Sequence, residues 1–399
     1  MSRVAPRRRA DVSRRGGRRI ASPAHVPAIV EHATSTRRPD PVPESPPVAR
    51  RAVALEGPGT STTVMPNDDH HTPWWQILTS VLVALLGLAA LAAAAIPVGP
   101  DWLPEVGATA VTAAYVWVLA DRGGGRPAIF AVLTLLAGAI VIAVDRPELR
   151  TGAAVSTATI AAVLGVLITV PAVRVRQAVR EAVVAVLVAA VGGGAALGWS
   201  PSIDLVKFEY AVLVLTLAAT FTIVYRLGAG LHGLGRRGAF VVLLGAVVLA
   251  ATLVYAEALR SYGGLTLVDS LLDLVRWSRD RLGAFPRPVE AVLGVPALMW
   301  GTHMRARRRQ GWWVCAFGVA ATAPAAGALL NPAISSVEAL LSIGYGLVVG
   351  IVLGYVVIRV DLALTGTGGG RRAVGRRSRQ AEEREVAIRP EPRRLDALL

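Results

Sequence analysis

Residues 337–359 read VEALLSIGYGLVVGIVLGYVVIR, with twenty consecutive uncharged positions between Glu338 and Arg359. A helix of about 20 apolar residues is what the hydrocarbon core of a bilayer requires. Ser342, Gly346, Gly350 and Gly354 fall four apart within this stretch. On a helix they form one stripe of small residues. In lipid such a stripe lets two backbones approach closely, because packing replaces the hydrophobic drive between helices. The partner expected for this stripe is another helix of the same chain.

Working outward, the same apolar length recurs. Asn331-Pro332, a turn signal, separates 337–359 from an apolar run at 312–330. Eight more runs qualify at 74–96, 103–120, 127–144, 151–173, 181–199, 208–226, 239–258 and 288–304. The expectation is an all-α, polytopic membrane bundle of about ten transmembrane helices over 74–361. Composition agrees. The 399 residues are 53% hydrophobic and only 17% charged, with mean hydropathy +0.52. A soluble chain is about a quarter charged. A disordered protein and a disulfide-stapled secreted domain are also excluded; the single cysteine, Cys315, permits no internal disulfide and no thiolate metal site.

The net charge of +15 is unevenly spread. With a cytoplasmic N-terminus, the inner loops hold twelve arginines, among them Arg122, Arg174, Arg226 and Arg305, against eight basic residues outside. This is the positive-inside pattern. It predicts an even number of crossings, both termini cytoplasmic, and a bacterial cytoplasmic (inner) membrane location. Residues 1–73 combine arginine clusters with a proline-rich stretch, and 362–399 are again basic. Neither tail has the apolar content to offset the entropy of ordering, so both are expected to be disordered. Anionic lipid headgroups are their expected contact, with protein partners as a further role. Nucleic acid is not expected, because stacking aromatics do not interleave the arginines. Asp68, Asp69, His70 and His71 read as a polar flank before Trp74, with no metal or cofactor expected.

The segment 265–283 is amphipathic. Val268, Leu271, Leu272, Val275 and Leu282 repeat at helical spacing, and Arg276 stands four before Asp280. It reads as an interfacial helix on the outer leaflet, serving either as a brace or as a lip over an opening between helices. Gly192 to Gly194 suggest a local helix break.

Ionisable residues within membrane spans are costly and mark function. Glu257 and Glu290 lie inside apolar limits and flank the amphipathic segment. They are the candidates for a substrate or proton-linked pair, with Arg260 as partner. Pro296 and Pro324 are hinge candidates, since broken helices mark many transporter sites. His303 reads as a headgroup contact. Phosphate-loop, His-Glu-x-x-His and Gly-x-Ser-x-Gly signatures do not occur, and no catalytic residue is expected.

Two resemblances follow. The ten-helix layout with both ends inside resembles the drug/metabolite transporter superfamily in topology, without a motif. Asp101 and Glu105 in the first outer loop resemble the acidic first-loop motif of polyprenyl-phosphate-sugar glycosyltransferases. The first implies a permease-like protein that moves or binds a small or lipid-linked molecule. The alternative is a non-transporting scaffold for envelope assembly, and a membrane glycosyltransferase is the third reading.

Overall fold

The computed structural model describes residues 74–95, 99–202, 204–229, 239–240, 242–254, 266–306, 311–364, 394–395 and 398. Everything described belongs to one compact unit, Pro66–Leu399. Among the described residues there are helices and turns but no strand. The elements are α1 (Trp74–Ala95), α2 (Leu103–Arg122), α3 (Pro127–Val144), α4 (Pro147–Leu167), α5 (Val175–Leu197) and α6 (Leu205–Val224). They continue with α7 (Val242–Val254), α8 (Thr266–Leu282), α9 (Val295–Arg305), α10 (Gly311–Leu329) and α11 (Ser336–Leu364).

Among the described residues seven helices are long and apolar enough to cross a membrane: α2, α3, α4, α5, α6 with its extension to Leu227, α10 and α11. Leu78–Ala93 within α1 and Val242–Val254 are shorter apolar helices. α3 makes the environment plain. Ile129, Phe130, Val132, Leu133, Leu136 and Ile140 are all about half exposed. An apolar surface of that extent is not stable in water, whereas a helix that closes its own backbone hydrogen bonds is stable in lipid. Proline starts α3 and α4, where its missing N–H costs nothing. Asp204 caps α6, its Oδ1 accepting from the N–H groups of Val206 (3.1 Å) and Lys207 (3.3 Å).

Small residues set the crossings. A Cβ on Gly87 would meet the carbonyl of Gly107 at 2.8 Å, and one on Gly107 would meet that of Gly87 at 2.7 Å. α1 and α2 therefore touch backbone to backbone. Gly192 abuts Ala161, and a Cβ on Gly193 would stand 3.0 Å from the Cα of Ala326. The glycine run in α5 thus seats two neighbours, and the helix passes through it unbroken. The break expected there is absent: at Gly192 and Gly193 a packed helix fills the space of the missing side chain, while Gly194 faces open space.

α9 and α10 run antiparallel in close contact, with Gly294 against Ala320 and Ala321, Gly301 against Cys315, and Gly311 against Arg305. α11 packs in parallel on α9. Gly346 faces Glu290, Gly350 faces Val295 and Gly354 faces Met299, one helical turn at a time. The stripe of 342–354 meets a helix of its own chain.

Two irregularities flank the expected hinges. Before Pro296, residues Glu290–Gly294 form a π-turn, and the Val295 N–H returns to the Glu290 carbonyl. The widened turn accommodates a proline that has no N–H for the helical ladder. In α10 the irregular turn lies at Phe317–Gly318, where the N–H groups of both bond three residues back. Ala323, before Pro324, keeps right-handed helical dihedrals.

One end of the bundle, which carries Arg122, is more polar than its apolar flanks suggest. Arg122, Glu181, His303, Arg305 and Thr169 are all buried there. The Arg122 Nε donates to the Leu167 carbonyl (2.9 Å), and its Nη2 to that of Thr169 (3.3 Å). Arg305 donates to the Thr169 carbonyl and to its hydroxyl (2.9 Å), and stacks 3.4 Å over the Trp312 ring. Arg394 reaches the Ile168 carbonyl (3.4 Å) and Glu181 (2.7 Å). Three arginines from distant parts of the chain therefore close the carbonyl end of α4, where a helix carries partial negative charge. The reading of 362–399 as tail needs adjustment at both ends. Leu362 to Leu364 continue α11, and Arg394 and Leu398 lie on the bundle, the Leu398 N–H donating to Arg122 (2.8 Å).

Candidate functional site

The other end of the bundle holds a cavity of about 340 Å³. It is walled by the first turns of α6 (Leu205, Glu209, Tyr210, Leu213), Leu253 of α7, Val275 and Arg279 of α8, and the link Phe285–Val289, which turns helical at Pro288. Pro324 of α10, Asn331 and Ile334 of the following turn, and Glu338 and Ser342 of α11 complete it.

Its charges come in opposed pairs. The Arg287 Nη1 lies 3.4 Å from Glu209 Oε1 and donates to the Pro324 carbonyl at 3.0 Å. The Arg279 Nε lies 3.2 Å from Glu338 Oε1. The Arg287–Glu209 pair is mostly covered and is less screened than an ion pair in water, whereas Arg279 is more than half exposed. Gly327 makes room for Glu209, since a Cβ there would meet its Cγ at 2.6 Å and its Oε1 at 2.7 Å.

Behind the wall sits Glu290. Val289, the preceding residue, lines the cavity, and so does Ser342, one turn from Gly346. Glu290 is completely buried, and its carboxyl occupies the notch left by Gly346, 2.8 Å from where a Cβ would stand. Neither of its oxygens has a hydrogen-bond partner. A buried polar group without a partner carries the full cost of its desolvation.

α8 closes the region from one side. Its final turn is tied to α11 through the carbonyls of Leu282 and Phe285, which accept from Tyr345 (2.9 Å) and Ser342 (2.6 Å). The Ser278 hydroxyl donates to the Ala284 carbonyl (2.7 Å) across the turn at Gly283, whose φ of 77° suits glycine. Trp277, Leu274 and Leu282 remain about half exposed. Arg276 pairs with Asp273 at 2.7 Å rather than with Asp280, the choice falling on the i−3 neighbour.

Of the residues singled out from the sequence, Pro324 and Ser342 line the cavity and Glu290 adjoins it; Pro296 follows the π-turn. Glu257 and Arg260 lie outside the described residues, as does the cluster Asp68 to His71. His303 is buried rather than at a headgroup, with Nδ1 3.0 Å from the Ala172 carbonyl. Glu105 is committed to Arg150 at 2.7 Å, which also holds Asp145. Glu209 and Glu338 read in the sequence as acidic residues at outer span ends, and Arg279 and Arg287 as basic residues of the outer segment 259–287. The signal for Glu209 was Gly327, a small residue opposite its carboxylate. Among the described residues no group of three or more His, Cys, Asp or Glu could hold a metal ion.

Comparison of the chain with known protein families, curated proteins and solved structures returns no match.

Proposed function

We propose that the chain is a multi-pass protein of the bacterial cytoplasmic membrane, permease-like, which binds and moves a small or lipid-linked molecule through the cavity at the Glu209 end. The observation that carries this reading is the cavity itself: about 340 Å³ of space with paired charges, in a bundle otherwise packed on alanine and glycine. Transporter sites favour such positions, near interrupted helices and buried ionisable groups. Ten crossings remain our reading of the topology. α1, α7 and the stretch Glu290–Arg305 would add three to the seven longer helices. Both termini would then be cytoplasmic, with the arginine-rich tails on anionic headgroups and α8 on the outer leaflet. No catalytic role is proposed.

The test is thermal stabilisation of the purified full chain by a broad panel of lipids and metabolites, repeated with Glu209→Gln and Glu290→Gln. A panel member should raise the melting temperature of the wild type and act less on Glu209→Gln. If nothing in the panel shifts the melt, the binding reading falls. Cysteine labelling tests the topology: position 270 should react from outside and position 306 from inside.

A scaffold role in envelope assembly is the second reading. Insensitivity of the melt to every ligand would favour this reading.

A further inference from the structure

The charges that line the cavity balance, and one further carboxylate stands behind them. Two guanidiniums, Arg279 and Arg287, are each within bonding distance of one carboxylate, Glu338 and Glu209. Glu290 is a third carboxylate, one residue behind the wall, with no donor on either oxygen. The elements packed on it offer no charge to answer it. α11 presents Gly346 and, beside it, Ile343, while α10 presents Ala320 and Ala321 to the same turn. The charge that bears on Glu290 most is Arg287, which is shared with Glu209.

Resting on the binding role above, we propose that the cavity takes a monocationic amphiphile, an amine or guanidinium on an apolar body, and that Glu290 receives the cation. The apolar lining from Leu205, Leu213, Leu253 and Phe285 suits the body of such a molecule. An anion would meet the two lining carboxylates, with both guanidiniums already engaged and Glu290 behind the wall. An uncharged ligand would leave the surplus carboxylate buried and unpaired, at a cost of several kcal/mol if it is ionised. Gly346 gives the carboxylate its notch, so the chain has kept space where a side chain would have sealed it. A proton on Glu290 would neutralise it equally well, and the experiment separates the two.

The full chain in nanodiscs is titrated with primary monoamines of increasing apolar length, each matched by the alcohol and the carboxylic acid of the same skeleton. The amines are expected to raise the melting temperature and to bind at least tenfold tighter than their alcohols. Glu290→Gln should erase that preference while melting no lower than the wild type without ligand. Gly346→Ala, which crowds the carboxyl, should weaken amine binding. Equal shifts by amines and alcohols, or an amine preference that survives Glu290→Gln, would overturn the cation assignment and leave the cavity reading intact. The same holds if Glu290→Gln melts with the bare wild type and amines do nothing, which would mark a carboxyl already protonated. Silence from all three series in every variant would remove both readings.

Discussion

Gly294→Ala puts the close contact between α9 and α10 to the test. A methyl group there would run into the backbone of Ala320 and Ala321, with the Ala321 Cα at 2.6 Å. Comfortable carbon–carbon contact needs about 3.5 Å, so one helix must retreat by about 1 Å. The obstacle is main chain, which cannot rotate away as a side chain can. Overpacking of this kind costs about 1–3 kcal/mol. Alanine returns about 1 kcal/mol through its better helix propensity, so a net loss of up to about 2 kcal/mol is expected. Gly344→Ala is the control, because a Cβ at Gly344 meets nothing within 4 Å. It keeps the propensity gain without the collision. Melting of the purified chain in one detergent should place Gly294→Ala below the wild type and Gly344→Ala at or above it. The reasoning is refuted if Gly294→Ala melts as high as Gly344→Ala, since the backbones would then not be in contact.

Glu181→Gln should destabilise the chain by about 1–3 kcal/mol, because Glu181 accepts from the Val170 N–H (3.0 Å), Arg180 and Arg394; a melt unchanged from wild type would contradict that. Arg394→Ala should cost less, since Glu181 keeps its other two donors. Asp204→Ala should lower the melt by removing the cap of α6, and the gap should depend on pH. Hydrogen bonding by Lys207 holds the Asp204 carboxyl below its ordinary value of 3.8. Its contribution is therefore full above that value and is lost as pH falls through the lower folded-state value. Melts of the two proteins should converge in that acidic window, and a gap that widens there would reverse the sign.

The legible part of the molecule was its apolar periodicity. The run of α11 announced a span, and its small-residue stripe announced a close contact, because both depend on spacing along one helix. What spacing does not carry is convergence. Arg122 and Arg305 read as loop charges that set orientation, and Arg394 as part of a basic tail; they meet only because α4 ends between them. Glu181 likewise stands in the second turn of α5, near the end of an apolar run, and its burial follows from the connection at Thr169–Val170 folding over it. Gly192 to Gly194 misled for a related reason. Glycine weakens an isolated helix, but here its absent side chain admits Ala161 and Ala326, and that packing holds the helix together.

The docking of Arg394 and Leu398 also has a consequence for biosynthesis. The carbonyl end of α4 is made early, before the second half of the chain exists. Two of its partners, Arg122 and Arg305, are available once α9 has been inserted. The third contact, and the bond from Leu398 to Arg122, come from residues made after every helix of the bundle. The bundle therefore reaches its final state only once the segment beyond α11 has also been made. A bulky insertion beside Arg394 would act at that closing step, on a helix end more than two hundred residues away in the chain.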